Sequence, residues 1–279
     1  MTLFTPTDLR NRIEQVGDLP TLPHVVQRLA TMIGSPTVSA EEIGTIIEKD
    51  QVLAAKVLRL ANSPFYGFPS RIGSVSHAVI VLGFNVVKGL TLCASALTIM
   101  KDAGMDQLWR HSLGVAITAK LLATRLDIKN SEELFVSGLL HDIGKVVLYV
   151  KWPDVGNSIK DAMKTRTDHS HFDIEQELTG LSHAEIGGYL ASAWHLPVTL
   201  REPILYHHNP MQAKDATLQT AIVHVADILV KGLACGNPGD DLIPPLSKPA
   251  WDQVGLDEQS LAEYIDKASQ EFLTIDDYL

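Results

Sequence analysis

Leu139-Leu140-His141-Asp142-Ile143-Gly144-Lys145 sets two metal-ligand side chains next to each other in an apolar stretch patterned as helix. Neighbours on an α-helix point about 100° apart, so both can serve one site only if it lies between their two directions. The chain supplies candidate partners for such a site in His111, His183, the adjacent pair His207-His208, and Asp227. Each falls on, or at the end of, a segment with helix signals. Imidazole with carboxylate and no thiolate suits iron, manganese, nickel or zinc. Taken singly, a histidine on an apolar helix face reads as a hydrogen-bonded core residue. Taken together, these side chains would each cost several kcal/mol if buried without partners, and bound metal removes that cost.

Working outward, helix starts recur and alternating strand patterns are scarce, so the expected fold is all-α. Ser39 with Glu42 forms a capping box ahead of Ile43, Ile46 and Ile47. Asp50 opens a second helix, with Leu53, Val57 and Leu60 or Ala61 on one face, which ends at Asn62-Ser63-Pro64. Ser74 starts a third that stops at Gly83, and a longer apolar helix follows from about Asn85 to Met100. The pattern breaks between Lys101 and Gly104, which reads as a seam. Beyond it, Leu108, His111, Val115 and Leu122 share one face, turning His111 inward. Asn130 with Glu133 caps a helix expected to run through Leu134, Gly138, His141, Asp142 and Lys145. Ser182 with Glu185 places His183 in a first turn, and Thr199 with Glu202 repeats the signature for a helix closed by His207-His208 before Asn209-Pro210. A core helix from about Thr217 to Ala234 carries His224 and Asp227, with Gly236 as its stop. A Pro/Gly/Asp loop and an amphipathic helix bearing Leu261, Ile265, Ala268 and Phe272 complete the chain.

The 279 residues are 46% hydrophobic, ample for a continuous core. Net charge is -10, and the stretch from Cys235 onward, with 10 acids against 2 bases, supplies most of it. No basic stripe is present to neutralise a phosphate backbone, so direct nucleic-acid binding is not expected. Cys93 and Cys235 sit in no metal or redox spacing, which fits a reducing compartment. The first residues lack a charged segment followed by an apolar one, and the longest apolar run, Val86 to Met100, is interrupted by Lys88. No membrane association is expected, and the protein is read as cytoplasmic.

The stretch around His141-Asp142, preceded by His111 and followed by Asp227, resembles the His…His-Asp…Asp signature of the HD superfamily of metal-dependent phosphohydrolases. His183 and His207-His208 match the extra ligands of its HD-GYP branch of cyclic-dinucleotide phosphodiesterases, where they build a second metal position. Further upstream, Leu19-Pro20-Thr21-Leu22-Pro23, Lys49-Asp50, Leu58-Arg59-Leu60-Ala61-Asn62-Ser63 with Phe65-Tyr66-Gly67, Ile72-Gly73-Ser74-Val75 and Leu82-Gly83 resemble the HDOD domain, an HD-related output domain of bacterial signalling proteins. The likeness runs from about Val16 to Val230. Two departures matter. Asn209-Pro210-Met211 follows the histidine pair in place of the Gly-Tyr-Pro loop, and Gln107 stands where trinuclear relatives place a glutamate ligand.

The resemblance implies an HD-type helical bundle at 104–235, an additional N-terminal helical subdomain at 1–103, and an acidic loop and helix at 236–279 packed on the bundle. It implies two divalent transition-metal ions, iron or manganese before nickel or zinc. His111, His141 and Asp227 would hold one ion and His183, His207 and His208 the other, with Asp142 as bridge. Two such ions polarise a water between them for in-line attack at phosphorus. Asp142 and Lys145 are then the catalytic candidates, Lys145 steadying a phosphate oxygen, unless it is an exposed helix lysine. The leading expectation is a regulatory or protein-binding module with an unknown signalling partner; the alternative is an active phosphohydrolase on a nucleotide or cyclic dinucleotide. His224 reads as a core residue or a partner of Asp227. Asp168-His169-Ser170-His171-Phe172-Asp173 reads as a polar loop, while His24, His77 and His195 are assigned to packing or surface, and Trp109, Trp152, Trp194 and Trp251 to core anchoring.

Overall fold

Ser39, Asp50 and Ser74 each start a helix. In the computed structural model, which describes residue 28 and residues 39–63, 66, 68–129 and 131–276, every regular element is helical or a single helical turn. The motif at 19–23, His24, Pro64, Phe65, Gly67 and Asn130 lie outside the described residues. Helix α1 (Ala40–Glu48) carries the reciprocal box, Ser39 accepting from the Glu42 amide at 3.1 Å and Glu42 from the Ser39 amide at 2.9 Å. Asp50 caps α2 (Gln51–Ala61) through the Leu53 amide. The Asn62 side chain then closes the following turn, donating to the Leu58 and Ile72 carbonyls and accepting from the Ile72 amide. Helix α3 (Val75–Leu82) stops at Gly83, whose φ of +85° is one glycine adopts without strain, and α4 (Phe84–Asp102) departs from there.

The next helices frame the site: α5 (Asp106–Arg125), α6 (Ser131–Leu140), α7 (Ile143–Val146), a π-helical turn at Val147–Lys151, then α8 (Pro153–Thr165) and α9 (His171–Thr179). After these come α10 (His183–Ala193), α11 (Val198–Tyr206), α12 (Thr217–Gly232), α13 (Lys248–Val254) and α14 (Glu258–Asp276). The single inward stripe expected for α5 is too narrow. Leu113, Ala116 and Ile117 pack into one core cluster and Val115, Ala119 and Leu122 into another, so α5 is the central post of the bundle. The first cluster runs from Ile43 of α1 through Leu90 of α4 and Phe135 of α6 to Ile204 of α11, and therefore crosses the Lys101–Gly104 break. Tyr66 joins the same contact, its ring 5.5 Å from Phe135 with the Lys120 ammonium 4.4 Å above it. None of the helices among the described residues is long and apolar enough to cross a membrane.

Two local expectations are corrected. The helix capped near Glu133 does not run on to Lys145; α6 ends at Leu140, and Asp142 (φ -96°, ψ 12°) begins a new short helix. That break removes the divergence a continuous helix would impose on His141 and Asp142. Thr199 and Glu202 form no capping box. Pro197 stands at the start of α11, Thr199 donates to Glu133 at 2.7 Å, and the buried Glu202 carboxylate accepts the amides of Lys214, Asp215 and Ala216. Unpaired N–H groups ahead of a helix are strong claims on a buried carboxylate. Here they tie α11 to the start of α12, the helix that carries Asp227.

Candidate metal centre

Six helices, α5, α6, α7, α10, α11 and α12, deliver the seven predicted ligands to one buried place. Gly138 lets α5 and α6 touch, since a Cβ there would lie 2.5 Å from the Ala116 Cα, and the His111 and His141 rings come to 5.3 Å between centroids. Gly144 does the same for α7 against the first turn of α10, its would-be Cβ falling 2.0 Å from the His183 carbonyl oxygen. His207 and His208 follow the last turn of α11, and Asp227 sits mid-way along α12.

Asp142 is the hub. Its Oδ1 lies 3.0 Å from His183 Nε2 and 3.9 Å from His207 Nε2, while Oδ2 faces His141 Nε2 at 3.4 Å and His111 Nε2 at 3.9 Å. On the second of these sides Asp227 Oδ1 is 3.0 Å from His111 Nε2 and 3.9 Å from His141 Nε2. On the first, His183 Nε2 is 3.3 Å from His207 Nε2 and 3.0 Å from His208 Nε2. Six of the seven are almost fully buried and His208 partly so.

The hydrogen-bond partners decide which way the lone pairs point. His141 Nδ1 donates to the Gly138 carbonyl at 2.7 Å and His207 Nδ1 to the Ile204 carbonyl at 2.9 Å. His183 Nδ1 donates to Glu175 at 2.6 Å. Carbonyls and carboxylates only accept, so in its neutral form each of these rings turns an Nε2 lone pair into the site. Nε2 of His183 and Nε2 of His207 then face each other 3.3 Å apart, a spacing that a bound cation can fill. Ligand atoms bonded at about 2.1 Å with angles of about 90 to 110° stand about 3.0 to 3.4 Å apart, matching the shorter spacings. Among the described residues, Nε2 of His111 and His141 and Oδ1 of Asp142 and Asp227 are also buried and make no well-aligned hydrogen bond, although they stand 3.0 to 3.9 Å from one another's groups. The donor set therefore fits divalent metal, as two groups of ligands on either side of Asp142.

The electrostatics suit a positive occupant. Burial works to raise Asp142, but Lys145 and the His141 and His183 imidazoles hold it well below the usual carboxylate range. Asp227 is likewise held down, against burial, by His111 and His141. Burial pushes His207 and His208 well below the ordinary imidazole value, reinforced by their neighbours, and lowers His111 in spite of Asp227. They stand neutral, the form that ligates. His183 is opposed by burial yet raised by Glu175 and Asp142.

Lys145 is no exposed helix lysine: it is buried, with Nζ 2.8 Å from Asp142 Oδ2, on the wall of a cavity of about 390 Å³ that also touches His183, His208 and Phe172. His224 does not reach Asp227; it donates to the His207 carbonyl at 2.7 Å and accepts the Ser247 amide at 3.0 Å, steadying the histidine pair from behind. Gln107 is exposed and brings no ligand to the site. Trp109, Trp152 and Trp194 are buried, while His77 and His195 are exposed. The segment 168–173 divides. Asp168 and His169 pair at the surface, whereas Ser170 and Asp173 cap α9 and bury His171. Glu175, four residues on from His171, is absent from the expected set, yet it accepts both the ring N–H and the backbone amide of His183. The signal available was Ser170 with Asp173, a helix start inside what reads as a polar loop.

Comparison with known proteins agrees with this architecture. The profile of the HDOD domain matches residues 19–210. An uncharacterised protein of Treponema pallidum (strain Nichols) is 28% identical over 199 residues, covering 70% of this chain and 39% of that protein, so the chain spans well under half the length of this curated relative. Among solved structures, an HDOD domain protein of unknown function from Geobacter sulfurreducens is 29% identical, covers 98% of both chains and superposes with a TM-score of 0.72. A Shewanella amazonensis protein provisionally named a phosphohydrolase shares the fold at 24% identity and a TM-score of 0.67, over 96% of this chain and 97% of its own. The chain belongs to the HDOD domain family.

Proposed function

We propose that this chain is a metal-binding regulatory module of bacterial signal transduction, acting in the cytoplasm by engaging a protein partner, with two divalent ions astride Asp142 in a structural or sensory role. The observation that carries the metal reading is the convergence of three Nε2 lone pairs, fixed by their Nδ1 partners, on a carboxylate with an oxygen toward each ligand group. The regulatory reading draws its support from the mouth of the cavity. Its two lysines are each engaged by a carboxylate, Lys145 by Asp142 and Lys231 by Asp240 at 2.9 Å, and its rim adds Asp168 and Asp173. Apart from any bound ion, a rim so balanced adds little of its own to grip the two phosphates of a cyclic dinucleotide.

A second reading, hydrolysis of a nucleotide or phosphate ester, is favoured by the cavity itself, which brings His183, His208 and Lys145 to one opening. Metal ions there supply Lewis-acid polarisation of a phosphoryl oxygen and of a water. Asp142 and the histidines would hold them, and Phe172, 4.8 Å from the His208 ring, offers an apolar wall to a base. The discriminating experiment loads the protein with iron or manganese and assays nucleotides, cyclic dinucleotides and simple phosphoesters, beside the cellular output of wild type and Asp142→Ala. The proposal expects no turnover from a fully loaded protein. Metal-dependent hydrolysis abolished together with the output would establish the enzyme instead.

A further inference from the structure

We propose that Glu175 is the positioning residue for the ion on the His183 side, holding that ligand through a buried chain that continues to His171 and Tyr149. The inference rests on the metal reading above. Of the three imidazoles whose direction is fixed, His141 and His207 lean on neutral carbonyls of their own preceding turns, and His183 alone leans on a carboxylate. One oxygen, Glu175 Oε2, takes the His183 ring N–H at 2.6 Å and its backbone amide at 2.7 Å, fixing the ring and the start of α10 together. The other oxygen lies 2.7 Å from His171 Nδ1, and His171 Nε2 is 2.6 Å from the Tyr149 hydroxyl.

The chain is anchored at several points. The His171 amide donates to Asp240 at 2.8 Å, Asp240 is paired with Lys231, and Gly239 lies flat on the His171 ring, where a Cβ would come within 2.7 Å. Glu175, His171 and His183 are all at most 1% exposed. A carboxylate so deeply buried needs donors or positive charge around it; Oε2 has two N–H groups of His183, while Oε1 faces His171 Nδ1 without an aligned hydrogen bond, and the satisfied oxygen leads to a metal ligand. The His183 group contains three imidazoles and shares only Asp142 as an anion, so Glu175 supplies from behind the charge that Asp227 supplies directly on the other side.

The test uses the full chain and Mn²⁺ as probe, with bound ions counted by equilibrium dialysis and spin coupling read by electron paramagnetic resonance. Glu175→Ala should weaken one Mn²⁺ by roughly 10- to 100-fold, leave the other within about threefold, and replace the coupled-pair signal with that of an isolated ion. Glu175→Gln keeps an acceptor for the ring N–H without the charge and should fall between, and this near-isosteric variant decides the matter if the alanine protein does not fold. Wild-type affinity for both ions in the variants, or equal loss of both, would overturn the proposal while leaving the metal reading standing. A wild-type chain that takes up no Mn²⁺ would overturn both.

Discussion

The two sides of Asp142 are built on different principles. His111, His141 and Asp227 bring an anion directly to their position, with Asp227 Oδ1 3.0 Å from His111 Nε2. His183, His207 and His208 bring imidazoles only, and the matching charge stands one residue back, on Glu175. A two-ion centre arranged this way would have one shared ligand and two independent supports. Removing the shared ligand should empty both sides, and removing a support should empty one.

Asp142→Ala is the largest break. It takes the common carboxylate from both ligand groups and strands the buried Lys145 ammonium, a loss of about 3 to 5 kcal/mol for a buried pair with one member missing. Elemental analysis after reconstitution should find neither ion retained, and the metal-free protein should melt well below wild type. Retention of one full equivalent would show that a side stands without the hub.

Single-side changes sharpen the contrast. Asp227→Asn and His207→Ala should each cost one ion per chain, at opposite sites, so that the double variant binds none. If both remove the same ion, the division into two groups is wrong. Gly144→Ala acts through packing: the new methyl meets the His183 carbonyl and must push α7 from α10, an overpacking cost of about 1 to 3 kcal/mol. It should lower the melting temperature and selectively weaken the His183 side, measured by Mn²⁺ titration. An unchanged titration would detach that helix contact from the ligand geometry.

The smallest effect lies far from the site. Lys88 is buried with its ammonium on the His195 carbonyl at 3.2 Å, and burial lowers it to about 8. Between about pH 8 and the unfolded value of about 10.4 the unfolded chain holds more protons, so stability should rise with pH across that window. Below it, the folded state carries the full cost of the desolvated charge. Lys88→Met should flatten that rise and lift the melting temperature slightly at pH 7 while leaving metal content alone. A lowered melting temperature would assign Lys88 a stabilising contact instead.

The seven side chains that meet around Asp142 and most helix starts are legible in the sequence because both rest on local rules: capping residues sit beside the amides they satisfy, and imidazoles on apolar faces stand out from their neighbours. What escaped depends on contacts between distant segments. Glu202 looked like a partner for Thr199 three residues away, but its carboxylate finds three amides at 214–216. The burial of Lys145 is not legible in the sequence, because its neighbours there say nothing of the cavity wall it joins. His171 falls in the stretch 168–173 read as loop and Glu175 lies just beyond it, although Ser170 and Asp173 cap a helix there. The break at His141-Asp142 is the converse case, where an apolar pattern runs on through a turn that the site geometry requires.

In the proposed centre two ions share Asp142. Anomalous scattering from crystals of the manganese-loaded full chain tests it most directly. Two peaks about 3.5 to 4 Å apart, one beside His111, His141 and Asp227 and the other beside His183, His207 and His208, are the predicted result. A single peak, or two that are not bridged by the Asp142 carboxylate, would contradict it.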